Sequence, residues 1–445
     1  MSSPALGSRF ALRLGASSLA FTLLLVAVLC LFVSPLVVAA PLVLAALVGM
    51  LFRFPVALLG ILLAFIPLDY MAIELGKFAG LPHMTLVSAC TKEIPFLLLL
   101  FILWRRHGYQ AAAPDWFLLA FFSLALVRTV FDGFLAGFVT DFSFLISYFV
   151  GRVTVLTQKQ ERRWAGCAVW LAASLSVVGM IEVFILGEGP RTLLYVATDS
   201  QSDAGQLTAS FHGIGFTGLR EAATMVGPNS FGILCMIALI VWWVYSRNPV
   251  PGAMIAAGLI CSVTRSAWIG TAAAIPLLAF LMNQKRRFLL SVTLALALFA
   301  ASIPLLGLSD YLLFNTTGQD PSAQGHRDEI WSGVEYAANH PFGSGNEKVS
   351  ALSLHEDLNA IVFETTYPNF AAEYGVAAVF CFVGSLATAL YLLWRMHSQL
   401  GRAALGILAG LSVVMIFTLP LLDRRLACWA WFPIGLAVRQ TRAAV

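Results

Sequence analysis

The chain is a succession of apolar runs, most of them roughly 15 to 22 residues long, the length that crosses the hydrocarbon core of a bilayer. They fall near 14–33, 36–52, 55–69, 93–104, 114–131, 134–156, 164–186, 229–246, 250–264, 267–283, 288–308, 373–394, 403–421 and 426–438. These runs predict an all-α polytopic membrane protein with 12–14 transmembrane helices. Composition agrees, since 59% of the chain is hydrophobic and only 11% is charged, against about a quarter in soluble domains. The first run follows Arg9 and Arg13, as a signal peptide would, but it is long and another run succeeds it at once, so it reads as an anchor. A net charge of +4 with no basic tail gives no reason to expect nucleic acid. The seven cysteines all lie in or beside apolar runs without C-x-x-C or ligand-spaced histidines, so they read as packing residues rather than a disulfide or metal framework.

Two stretches are too polar to enter lipid, 187–228 and 309–372. They divide the chain into a helical bundle over 1–308 that includes the loop 187–228, a large loop over 309–372, and C-terminal helices over 373–445. With a cytoplasmic N-terminus, the short loops carrying Arg105, Arg106, Arg162, Arg163, Lys285, Arg286 and Arg287 fall inside, as the positive-inside rule asks. The same assignment puts the C-terminus inside and both long loops outside. In a bacterium that face is the periplasm, which holds no ATP, so an enzyme working there needs a substrate that carries its own activation energy. Within the large loop, Gly325 to Trp331 opens an amphipathic helix that Asn339 to Gly345 breaks. Arg327, Ile330, Trp331, Val334 and Ala338 share one face of it, a face suited to lie along a membrane surface.

The basic residues that break the positive-inside rule are the informative ones, among them Arg191, Arg220, Arg265 and Arg327. Arg265 sits in Thr264-Arg265-Ser266 between two apolar runs, at a tight outer turn. One reading is a guanidinium snorkelling to phospholipid headgroups. The other is a set of arginines gripping phosphate through paired hydrogen bonds. Arg220 precedes the turn Gly227-Pro228-Asn229, and the glycines upstream of it lack the spacing of a nucleotide-binding P-loop. Arg152 lies near the inner end of its run, where the positive-inside bias alone accounts for it.

Arg220 with Pro228-Asn229, then Thr264-Arg265-Ser266, then Arg327 to Trp331 with Pro341-Phe342-Gly343-Ser344-Gly345, and finally Glu373-Tyr374-Gly375-Val376 form an ordered set. Together they resemble the O-antigen ligase and polysaccharide polymerase family of bacterial membrane glycosyltransferases, over roughly residues 180–395. The resemblance implies a GT-C-like, metal-independent enzyme without cofactors, in the bacterial inner membrane, with its active site on the periplasmic side. Its donor would be a glycan on undecaprenyl diphosphate, and its acceptor another lipid-linked glycan or lipid A-core. Membrane lipids and polysaccharide assembly or export proteins would be its other partners. By this resemblance Arg220, Arg265, Arg327 and Arg191 are candidates to hold the diphosphate and stabilise its developing charge. Ligases of the family carry a His-Asn pair before the closing Glu-x-Gly; here Glu364-Thr365 stands in that place, nine residues before Glu373. Glu364 is therefore the candidate general base, with His355 and His340 in reserve, and the missing histidine favours a polymerase over a ligase.

A transporter or flippase of lipid-linked glycans fits the same number of spans. Such proteins show internal repeats and ionisable groups at the bilayer midplane. Here no repeat is visible, and polar residues gather in the outer loop instead.

Overall fold

The computed structural model describes residues 49–50, 52–78, 84–132, 135–187, 220, 222–225, 227–289, 292–293, 300, 321–349, 361, 363–421 and 423–443. The run at 14–33, most of those at 36–52 and 288–308, and the candidate residues Arg191 and His355 lie outside them. No strand occurs among the described residues, and the chain is an all-α polytopic membrane protein.

The helices are α1 (Pro55–Phe65), α2 (Asp69–Phe78), α3 (Met84–His107), α4 (Ala113–Asp132), α5 (Leu135–Asp141), α6 (Ser143–Val153), α7 (Gln158–Ile181), α8 (Pro228–Tyr245), α9 (Pro249–Cys261), α10 (Arg265–Leu281), α11 (Pro321–Asn339), α12 (Thr366–Tyr374), α13 (Val376–Trp394), α14 (Gln399–Val414) and α15 (Arg424–Ala443). Among the described residues five helices are long and apolar enough to cross a membrane: α1 running on into α2, α4, α7 with the turn after it, α8 and α13. The apolar helices α9, α10 and α14 are shorter, at 13, 17 and 16 residues. The expected run at 134–156 is two helices, α5 and α6, broken at Phe142.

Residues 1–58 and 59–445 form two compact units. The described part of the first is helical, with Leu58 N–H donating to Phe54 O at 3.0 Å. The candidate site lies wholly in the second.

At the centre of the second unit, α8 is apolar all round and buried along its length, as a helix enclosed by others must be. Met236 of α8 meets Gly270 of α10 and Gly410 of α14 at one level, and Ile240 and Leu278 meet Gly406 at the next. Hence α8 and α10 run parallel and α14 runs against them. Arg265 is five residues before Gly270 and Met415 five after Gly410, so each lies about 7.5 Å further along, at the same end of the bundle.

A second closely packed pair is α6 and α15. Gly151 and Gly435 bring their backbones together, and a Cβ at Gly435 would lie 2.1 Å from the Tyr148 carbonyl oxygen. The two helices run parallel. At one end Arg424 Nη2 donates to Thr140 Oγ1 at 3.0 Å, and at the other Arg439 Nη1 donates to Arg152 O at 2.9 Å. Because only a short turn joins α14 to α15, the Arg424 end is also the Arg265 end.

The opposite end holds a buried ion pair. Arg152, only 2% exposed, donates through Nη2 to Asp115 Oδ2 at 2.8 Å, and Tyr148 OH donates to Asp115 Oδ1 at 2.7 Å. The sequence gives Arg152 no role beyond its bias toward the inner side; the structure ties α6 to α4 through it.

Candidate functional site

The Arg265 end gathers three segments that are far apart in the chain. Arg220 reaches the turn between α9 and α10, donating through Nε to Ser262 O at 3.1 Å and through Nη2 to Asn229 Oδ1 at 2.7 Å. Thr264 Oγ1 donates to Pro228 O at 2.9 Å, closing the turn onto the first residue of α8. Val263 is held at φ 50°, a left-handed conformation that costs a β-branched residue about 1–3 kcal/mol, and the Arg220 guanidinium braces it. Arg265, half-buried, is the next helical residue.

Two parallel helices therefore begin at this point, α8 and α10, with the Arg220 guanidinium bonded at both starts and Arg265 the first residue of α10. Helix N-termini present unpaired N–H groups and partial positive charge, so arginines and helix ends act in the same direction on an anion. Of the four arginines expected to hold an anion, Arg220 and Arg265 are brought together. Arg327 lies on α11, and Arg191 lies outside the described residues.

The chain carrying Glu364 arrives at the same end. Thr366 N–H donates to Met415 O at 3.0 Å and Thr366 Oγ1 to Thr418 O at 2.7 Å, so the start of α12 is fastened to the C-terminal end of α14. Glu364 is exposed just before it, and its backbone N–H donates to the Glu329 carboxylate of α11. On the other side Ile361 N–H donates to Lys348 O at 3.0 Å. Glu364 thus sits on a short bridge between the large loop and the bundle. His340 follows α11, and its ring stacks on Tyr336 with centroids 4.3 Å apart.

α11 packs along α12 through small residues: Gly333 is buried against Pro368 and Phe363, and Ala337 is buried on the same side. The face expected to be apolar and outward is so, with Trp331 67% and Val334 51% exposed. Phe342, in the turn after the helix, is 84% exposed.

That turn is moulded onto the end of α12. Ser344 N–H donates to Ala372 O at 2.7 Å, Gly345 N–H to Glu373 O at 3.0 Å and Val376 N–H to Pro341 O at 2.9 Å. Gly343 and Gly375 adopt φ of 76° and 93°, and a Cβ at Gly343 would lie 2.5 Å from Glu373 O. Glycine is required at both by conformation and by space. Pro341 to Gly345 and Glu373-Tyr374-Gly375 are therefore two halves of one joint.

Beneath the joint is a cluster of which the sequence reading named Glu373 and Tyr374 but missed Asp141 and Asn346. Tyr374 OH hydrogen-bonds Asp141 Oδ2 at 2.5 Å, and Asn346 Nδ2 donates to Tyr374 OH at 2.6 Å and to Asp141 Oδ2 at 3.2 Å. The Glu373 carboxyl lies beside that of Asp141. All four side chains are buried. Under them lie Phe121, Phe142, Phe370 and Phe382, with ring centroids 4.8 to 5.2 Å from Phe121. A lone aspartate in an apolar run was the available signal, since an ionisable group there is costly without a purpose.

Residues 250–383 match the family Wzy_C, O-antigen ligase. The matched stretch takes in Arg265, Arg327, His340, His355, Glu364 and Glu373, and begins after Arg191 and Arg220. No curated protein matches the chain.

Proposed function

With an O-antigen ligase domain as its premise, we propose that this chain transfers a glycan from undecaprenyl diphosphate to an acceptor hydroxyl, at the periplasmic face of a bacterial inner membrane. The observation that carries the reading is the pairing of Arg220 and Arg265 at the heads of two parallel helices, at the end where Glu364 also lies.

The chemistry follows from those groups. The acceptor oxygen attacks the anomeric carbon, and the bond from that carbon to the diphosphate oxygen breaks. The diphosphate leaves with its electron pair, and the cations and helix ends at Arg220 and Arg265 stabilise the charge that builds on it. Glu364 takes the proton of the acceptor hydroxyl. Direct displacement inverts the anomeric centre. By the family resemblance Arg327, on the helix that also carries Glu329, is assigned to the donor's phosphates as well. A carboxylate where ligases of the family carry histidine supports a polymerase, with a second lipid-linked glycan as acceptor, over transfer to lipid A-core.

The test is product formation in membranes of cells lacking the native gene. Arg265→Ala and Glu364→Gln are each expected to lower transfer by about 10²-fold or more, read as undecaprenyl diphosphate released from a lipid-linked glycan. Normal transfer by both variants rejects the mechanism. Movement of the intact glycolipid across vesicles without bond exchange means a flippase instead.

A further inference from the structure

We infer that Asp141, Asn346, Glu373 and Tyr374 are positioning residues for the reaction proposed above, acting on Glu364 through the large loop. The inference rests on that reading of Glu364 as the base. Four observations carry it.

The cluster joins three separate pieces of chain: the end of α5, the loop after α11, and the junction of α12 with α13. Its side chains are 0 to 4% exposed, so they do not themselves touch substrate. From Asn346 the chain leads to Lys348, whose carbonyl holds Ile361 N–H at 3.0 Å, three residues before Glu364. Of the other anchors of that bridge, Thr366 on Met415 belongs to the bundle and the Glu329 carboxylate to α11, so the cluster holds Glu364 from the side of Ile361.

The cluster is also poorly built for stability alone. Asn346 Oδ1 and Glu373 Oε2 are buried with no hydrogen-bond partner among the described residues, and each such orphan is a cost. An apolar core at the same place would avoid it. What the polar cluster adds is direction: Asp141, Tyr374 and Asn346 accept or donate only in one register of the loop against α12.

Tyr374→Phe removes the hydroxyl that joins Asp141 to Asn346 and keeps the ring packed on Phe142. Asn346→Ala breaks the same joint from the loop side, and decides the matter if Tyr374→Phe fails to accumulate. Each is made alone and with Glu364→Gln, and assayed on a lipid-linked glycan extracted from the host that lacks the native gene. Each single variant is expected to lose about 10- to 100-fold in kcat with KM for that glycolipid within about twofold. Each double variant is expected to be no slower than Glu364→Gln alone, because a base that is absent cannot be misplaced. Losses that multiply in the double variants overturn the inference, since the cluster then acts independently of Glu364, and leave the proposed function standing. Wild-type kcat in Asn346→Ala beside an impaired Glu364→Gln does the same. Full activity in Glu364→Gln removes the base and this inference together.

Discussion

At the scale of single residues, Arg152 and Asp115 show what a charge costs when water is absent. Both are buried and hydrogen-bonded to each other, and Ala112 N–H and Tyr148 OH complete the carboxylate's shell. Removing one partner strands the other, at about 3–5 kcal/mol. Asp115→Asn is therefore expected to lower the thermal midpoint of the purified protein sharply, while the combined Asp115→Leu and Arg152→Met recovers most of the loss. Transfer per folded molecule should stay at the wild-type level, because the pair lies at the end of the bundle away from Arg265. The sequence made Arg220, Arg265 and Glu364 legible as candidates, since each breaks a local expectation of charge or motif. It did not reveal Asp141 with Asn346 and Tyr374, or Asp115 with Arg152. Those partners meet only after helices remote in the chain have packed, and no local pattern encodes that meeting.

At the scale of elements, most hydrophobic runs within the described residues became helices with boundaries close to those expected. The run 229–246 is Pro228–Tyr245, started by a proline whose missing N–H is no loss at the first helical position. Runs 93–104 and 426–438 grew to Met84–His107 and Arg424–Ala443, because polar ends continue a helix that apolar content alone does not mark. Run 134–156 divided at Phe142, next to the aspartate that Asn346 and Tyr374 hold. Close helix pairs were not legible, since glycine's spacing does not say which helix it faces. Gly435→Ala tests the closest of these contacts. Its Cβ meets the Tyr148 carbonyl, backbone that cannot turn aside, so α6 and α15 must part. The expected cost is about 1–3 kcal/mol, read as a lower unfolding midpoint in detergent.

At the scale of the whole molecule, the two ends differ in kind. One carries the proposed anion site, the large loop and the exposed Trp331 and Phe342; the other carries Arg152, Arg287 and Arg439 bonded to backbone carbonyls. The proposed orientation puts the first outside. In a cysteine-free background, Trp331→Cys should react with an impermeant maleimide in intact spheroplasts, and Gln158→Cys only after the cells are opened. The reverse pattern places the reaction on the cytoplasmic side and removes the argument for a substrate that needs no ATP. Membrane character, and the likeness to O-antigen ligases that residues 250–383 carry, were legible from composition and ordered motifs. Sidedness rests on the distribution of lysine and arginine, which biases insertion without fixing any contact in the fold.

Three of the helices that end or begin at the site are short. At 13, 17 and 16 residues, α9, α10 and α14 span about 20 to 26 Å where an average hydrocarbon layer is about 30 Å. A bilayer meets such helices by thinning around them. On the proposed reading the leaflet would be indented above Arg265, and a polyprenyl-linked donor drifting in the plane of the membrane would arrive there with its pyrophosphate lowered toward the guanidiniums. Local lipid thickness would then become part of how such a donor is found.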